Sequence, residues 1–251
     1  MARLVQIAEA GNDFAMLAAT LIAMTAQKAV RERGVCSIAL SGGSTPKAAY
    51  ALLAEDVRLR TMMPWSQTHF YWGDERAVPP EHPDSCYRMA YQAMLSKVTA
   101  GGVHRIRAEY EPARAASDYA SELAKTDVLE QRDGWPVFDL MLLGFGPDGH
   151  TASLFPGTKA LAETTRTVVP NWVGKLAAWR ITLTAPVINQ ARRVVFLASG
   201  DEKALPLKGA LEGPHEPEQL PAQLIAPTQG TLVYLLDKPA ARLLAPATLE
   251  L

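Results

Sequence analysis

The sequence predicts an α/β protein built on a mainly parallel sheet with helices covering both faces. Short apolar runs recur along the chain, each bounded by Gly, Pro or Asp. The runs are rich in Val, Ile, Leu and aromatic residues and lack strict alternation, which is the pattern of strands buried on both faces. Longer helix-like stretches lie between them, as βαβ units require. The length of 251 residues suits one domain, 1–251, around one large core.

The elements follow in order. A helix is expected over 12–33, where Phe14, Leu17, Leu21 and Met24 repeat at helical spacing and form one packed face. Its apolar piece "FAMLAATLIAM" is flanked by Glu9 and Asp13 before and Gln27 and Lys28 after. Those flanks do not suit a signal peptide, and the piece is too short to span a bilayer. Strands are expected at "VCSIAL" (35–40), "THFYWG" (68–73), "VFDLMLLGF" (137–145), "RVVFLAS" (193–199) and "LVYLL" (232–236), with further helices over 45–55, 85–97, 111–131 and 201–211. The Pro-rich segment 211–227 reads as a loop before the last strand.

With 48% apolar residues, 20% charged residues and a net charge of −1, the chain carries no field that would attract nucleic acid or a membrane surface. Cys36 and Cys86 have neither disulfide-framework nor zinc spacing. A reducing cytoplasm fits them best.

In a parallel sheet, segments that directly follow strands lie at the carboxyl ends, where ligands bind. Three candidate segments stand there. In "SGGSTP", Gly42 and Gly43 permit a sharp turn, Ser44 and Thr45 place hydroxyls at a helix start, and Pro46 suits the first turn. The segment is either an anion cradle for phosphate or a plain strand-to-helix turn. It matches neither the Walker nor the dinucleotide pattern.

In "GDER", Asp74, Glu75 and Arg76 follow the second run. Arg76 is suited to bidentate phosphate binding, or to an ion pair with its acidic neighbours or Asp84. His82 and Asp84 lack the further ligands a metal needs.

In "GPDGHTAS", Asp148 and His150 share a glycine turn. An imidazole there can exchange protons near neutrality while the carboxylate orients it, or it can simply bond to loop backbone. A nucleophile triad using Ser44 or Ser153 is weaker, because the GxSxG elbow is absent. Arg180 precedes an apolar stretch and Lys203 opens a helix after one, so each is a phosphate contact or a solvated surface charge. His69, His104 and His215 have no partner spacing and read as structural or surface residues.

Four segments, "LSGGSTPKAAY", "WGDERAVPPEHPDSCYRMA", "FDLMLLGFGPDGHTASLFPG" and "RITLTAPVINQARRVVFLASGDEKA", occur in this order. Together they resemble the 6-phosphogluconolactonases of the pentose phosphate pathway, over roughly residues 35–237. The resemblance implies a Rossmann-like domain related to the glucosamine-6-phosphate deaminases and ribose-5-phosphate isomerases. It further implies hydrolysis of 6-phosphoglucono-1,5-lactone without a metal or organic cofactor; the chain itself is expected to act in the cytoplasm as a monomer or small homo-oligomer, without nucleic acid or membrane.

Carried over by position, the resemblance makes His150 the acid/base with Asp148 close to it. It places Gly42, Gly43, Ser44, Thr45, Asp74 and Arg76 at the substrate, and Arg180 and Lys203 at the phosphate. Cys86 stands where the family usually shows Asn, and Phe145 where it shows Met. Both departures question local packing or substrate contacts more than the reaction, and a buried, inert thiol is expected at Cys86. The deaminases resemble "DGHIAFNEP" where this chain has "DGHTASLFP", which favours the lactonase.

Overall fold

The computed structural model describes residues 2–251. In chain order the elements are β1 (Ala2–Ala8), α1 (Asn12–Arg33), β2 (Cys36–Leu40), α2 (Ser44–Glu55), α3 (Val57–Met62), β3 (Thr68–Trp72), β4 (Asp74–Arg76) and α4 (Cys86–Ala93). There follow β5 (Gly102–Val103), α5 (Pro112–Lys125), β6 (Glu130–Arg132), β7 (Trp135–Val137), β8 (Leu140–Gly144), β9 (Val168–Val173) and β10 (Ala178–Leu183). The chain closes with α6 (Ala185–Ile188), β11 (Arg193–Ala198), α7 (Ala204–Glu212), β12 (Thr231–Asp237), α8 (Lys238–Ala241) and α9 (Pro246–Leu249).

Seven strands form one sheet in the order β1-β12-β11-β8-β2-β3-β5, and every pairing in it is parallel. All residues of β2 are buried, and β8, β11 and β12 are buried except for one terminal residue each. Because successive side chains point to opposite faces, such unbroken burial means that both faces are covered. This is the parallel, doubly covered α/β arrangement expected from the apolar runs, and the Rossmann-like domain that the resemblance implies.

The strand order reverses between β2 and β8. From β2 the chain moves outward to β3, and from β8 it moves the other way to β11 and β12. The carboxyl ends of β2 and β8 therefore flank the crevice that such a reversal opens.

A second sheet, β4-β10-β9, is antiparallel. Gly73 ties it to the first: its N–H donates to the Leu40 carbonyl at the end of β2, and its own carbonyl accepts from Leu183 of β10. The small sheet is thereby held against the mouth of the crevice.

Three expectations need correction. The buried face of α1 is Phe14, Ala15, Ala18, Ala19, Ile22, Ala23, Thr25, Ala26 and Ala29. Leu17 and Leu21 are half-buried and Met24 is 58% exposed. Alanines let a helix approach closely, so small residues together with Phe14 and Ile22 take the tight contact, while Leu17 and Leu21 pack at its edge. The stretch 111–131 is helical only to Lys125 and then enters the β6/β7 hairpin, whose turn residues Asp133 and Gly134 have φ of 51° and 82°. The stretch 85–97 breaks after Ala93 into a short 3₁₀ turn. Among the described residues, no helix is long and apolar enough to cross a membrane.

Candidate active site

The loop from β2 into α2 forms one wall of the crevice. Ser41 is clamped by Tyr50: its N–H donates to the phenol oxygen, and its carbonyl accepts the phenol hydrogen, both at 3.1 Å. Gly42 passes so close to Cys86 that a Cβ there would lie 2.4 Å from Sγ. Gly43 has φ +106°, a region that L side chains rarely adopt.

Helix α2 then begins at Ser44 with no side chain capping it. Its first N–H groups and the positive end of its dipole stay open to the crevice. Beneath them the Ser41 hydroxyl is buried and has no hydrogen-bond partner. Burial also pushes the Cys86 thiol well up, as suits a buried packing residue.

Charges reach the site from the antiparallel sheet. Asp74 is buried and accepts from the Ser153 hydroxyl at 2.6 Å. Glu75 does not pair with the Arg76 side chain. Its carboxylate accepts the N–H groups of Arg76, Cys86 and Tyr87 and the Ser85 hydroxyl, at 2.7–3.0 Å. It anchors the start of α4, a role the sequence reading missed because its partners lie ten to twelve residues away.

Arg76 donates to the Asp84 carbonyl at 2.5 Å. Directly across the ladder from it stands Arg180. Among the described residues, neither guanidinium makes a carboxylate salt bridge. Burial lowers the Arg180 pKa, and Arg76 lowers it further. Like charges opposite one another repel, so the pair is arranged to receive an anion. Lys203 adds a third cation, only loosely held by the exposed Glu202 at 3.4 Å.

The loop after β8 brings the imidazole. His150 Nδ1 is 2.5 Å from Asp148 Oδ1. A carboxylate can only accept, so Nδ1 carries the proton and Nε2 keeps the lone pair. The ring stacks on Phe155 with centroids 4.0 Å apart and passes so close to Gly146 that a Cβ there would lie 2.0 Å from Nδ1.

The His150 pKa is lowered to about 4. Burial is the main cause; Lys203, Arg180 and Arg76 act in the same direction, against Asp74. At neutral pH the imidazole is an uncharged base. Phe145, beside it in the same loop, is buried and packs edge-on against Phe196.

Gly42, Gly43, Ser44, Thr45, Asp74, Arg76, His150 and Lys203 line one cavity of about 220 Å³. Arg180 stands beside Arg76, and Asp148 supports the imidazole, but neither lines the cavity. A larger groove of about 710 Å³ lies beyond Asp148, walled by Leu205, Pro206 and Leu220, and has neither the imidazole nor the cluster of cations.

Neither nucleophile triad is assembled, since Ser153 gives its hydrogen to Asp74 and Ser44 makes no bond to His150. His82 accepts the Asp84 N–H within its turn. His69 and His104 are partnered after all: His69 Nδ1 meets His104 Nε2 at 3.0 Å, and His104 Nδ1 meets Glu122 at 2.8 Å. Tertiary packing makes that chain from residues 35 and 18 positions apart.

Residues 9–234 match the family described as glucosamine-6-phosphate isomerases/6-phosphogluconolactonase. A 6-phosphogluconolactonase from Synechocystis sp. is 42% identical over 240 residues, covering 94% of this chain and 96% of that one. The solved 6-phosphogluconolactonase from Trypanosoma brucei superposes with a TM-score of 0.85 at 31% identity, covering 97% and 99% of the two chains. A monomeric glucosamine-6-phosphate deaminase shares the fold, with a TM-score of 0.77 at 19% identity over 97% of this chain and all of that one.

Proposed function

The chain belongs to the glucosamine-6-phosphate isomerase/6-phosphogluconolactonase family, and from that premise we propose that it hydrolyses 6-phospho-D-glucono-1,5-lactone to 6-phospho-D-gluconate in the oxidative pentose phosphate pathway. We read residues 1–251 as one domain serving this one site. The observation that carries the proposal is the meeting, in one cavity, of a neutral imidazole with an open helix N-terminus and the cations Arg76 and Lys203. A substrate with a phosphate at one end and an activated ester at the other matches both halves.

The phosphate is held by the N–H groups at Gly43, Ser44 and Thr45 and by Arg76, Lys203 and Arg180, which orients the lactone. His150 Nε2 takes a proton from water as its oxygen attacks C1, giving a tetrahedral oxyanion. Collapse breaks the bond from C1 to the ring oxygen, and the imidazolium returns its proton to that leaving oxygen. Asp148 holds the ring and steadies its transient charge.

The test is a rapid assay on freshly generated lactone, corrected for spontaneous hydrolysis. Wild type should accelerate the reaction, and His150→Ala should lose on the order of 10²–10⁴-fold in kcat. No acceleration by wild type removes the substrate assignment. Full activity in His150→Ala removes the mechanism and leaves the substrate standing.

A further inference from the structure

A residue outside all of the motifs above reaches the catalytic loop. Lys175 lies in the short 3₁₀ turn Gly174–Leu176 between β9 and β10. Its ammonium group forms an ion pair with Asp148 Oδ2, while Asp148 Oδ1 takes the His150 Nδ1 hydrogen. The same ammonium lies 4.8 Å from the centre of the Phe155 ring, which stacks on the imidazole. Lys175 thus touches both groups that hold the ring.

The hairpin that presents it is itself fixed. Trp172 and Trp179 face each other across the ladder and pack edge to face at 5.5 Å. Ala177 closes the turn at φ 46°, a left-handed conformation that a non-glycine residue adopts only when its surroundings enforce it. Ala152, two residues past His150, has φ 47°. Both strained alanines thus flank the arrangement.

We propose that Lys175 is a positioning residue that acts through Asp148 to hold the His150 imidazole with its proton on Nδ1 and its lone pair on Nε2. This rests on the reading of His150 as the base. One carboxylate bridges two donors, so its orientation is set by the lysine as well as by the ring. The lysine also offsets the negative charge that would otherwise favour the imidazolium.

The charged groups that face His150 are Asp148 on its own loop, Asp74 and Arg76 from β4, Arg180 from β10 and Lys203 after β11. Lys175 adds its charge behind Asp148. Removing it leaves Asp148 uncompensated and takes one cation away, and both changes raise the imidazole pKa.

The experiment compares wild type, Lys175→Gln and Lys175→Arg by NMR titration of the His150 imidazole and by the pH profile of kcat/KM. Lys175→Gln should raise the imidazole midpoint by about half a unit to one unit, as a half-exposed charge acting through one neighbour would. The acid limb of kcat/KM should move with it, kcat should fall, and Lys175→Arg should restore both. An unmoved midpoint in Lys175→Gln overturns the proposal, as does an equal shift in Lys175→Arg. The titration needs no turnover, so a shifted midpoint alongside a fully active His150→Ala would sink the base assignment and leave the Lys175 coupling standing.

Discussion

The two sheets contribute to the site in different ways. The parallel sheet supplies the open start of α2 and the imidazole loop, both hung from strands buried on every side. The antiparallel sheet supplies Asp74, Arg76, Arg180 and the Lys175 turn from strands whose outer ends are half exposed. The buried scaffold thus carries the proposed base, and the more exposed arm carries the charges that surround it. Reacting geometry tolerates little displacement, whereas several cations around one phosphate share the work among them. Damage to the parallel side, or to Lys175 that braces Asp148, should therefore appear in kcat, and loss of the arm's cations Arg76 and Arg180 mainly in KM.

The sharpest break of that division is Gly146→Ala. The added methyl would sit where the His150 ring now lies, so kcat should fall about 100-fold or more, while the melting temperature stays within a few degrees. A kcat near that of wild type would mean that the ring position is not decisive.

A second test asks how strongly the arm's cations act on the imidazole. His150 titrates at about 4 in the fold against ~6.5 for an ordinary imidazole. Between those values the unfolded chain binds the extra proton and the folded chain does not, so stability is complete above pH ~6.5 and declines as pH falls toward ~4. The loss should be on the order of 1–3 kcal/mol by urea denaturation, and His150→Asn should lack it. Parallel pH profiles for the two proteins would overturn this account. Arg180→Ala should shrink the decline by raising the His150 pKa toward the ordinary value.

The smallest effect is expected from the arm's proposed phosphate contacts taken singly. Arg76→Ala or Arg180→Ala should each raise KM about tenfold with a lesser change in kcat, because the remaining cations and the α2 N–H groups still hold the anion. If either variant instead lowers kcat at constant KM, the division between the two sheets does not hold.

Much of the fold was legible because a strand covered on both faces has to be apolar throughout. That rule found β2, β3, β8, β11 and β12. It missed β1, a half-exposed edge strand that carries Arg3 and Gln6, and it missed β9, where Pro170 interrupts the run. The Asp133-Gly134 pair was a readable hairpin signal that the helical pattern of 111–131 concealed.

The sequence by itself determined the parallel scaffold, the glycine turns at strand ends and the placing of Gly42 to Thr45 and of His150 beside one crevice. These depend on local pattern: burial demands apolar runs, and sharp turns demand glycine. Only the tertiary structure decided which charges stay unpaired. It gave Glu75 to the α4 N-terminus, set Arg180 opposite Arg76, and brought Lys175 to Asp148 across 27 positions. Electrostatic partnership depends on distance through space, and the separations along the chain hold no record of it until the sheets are in place.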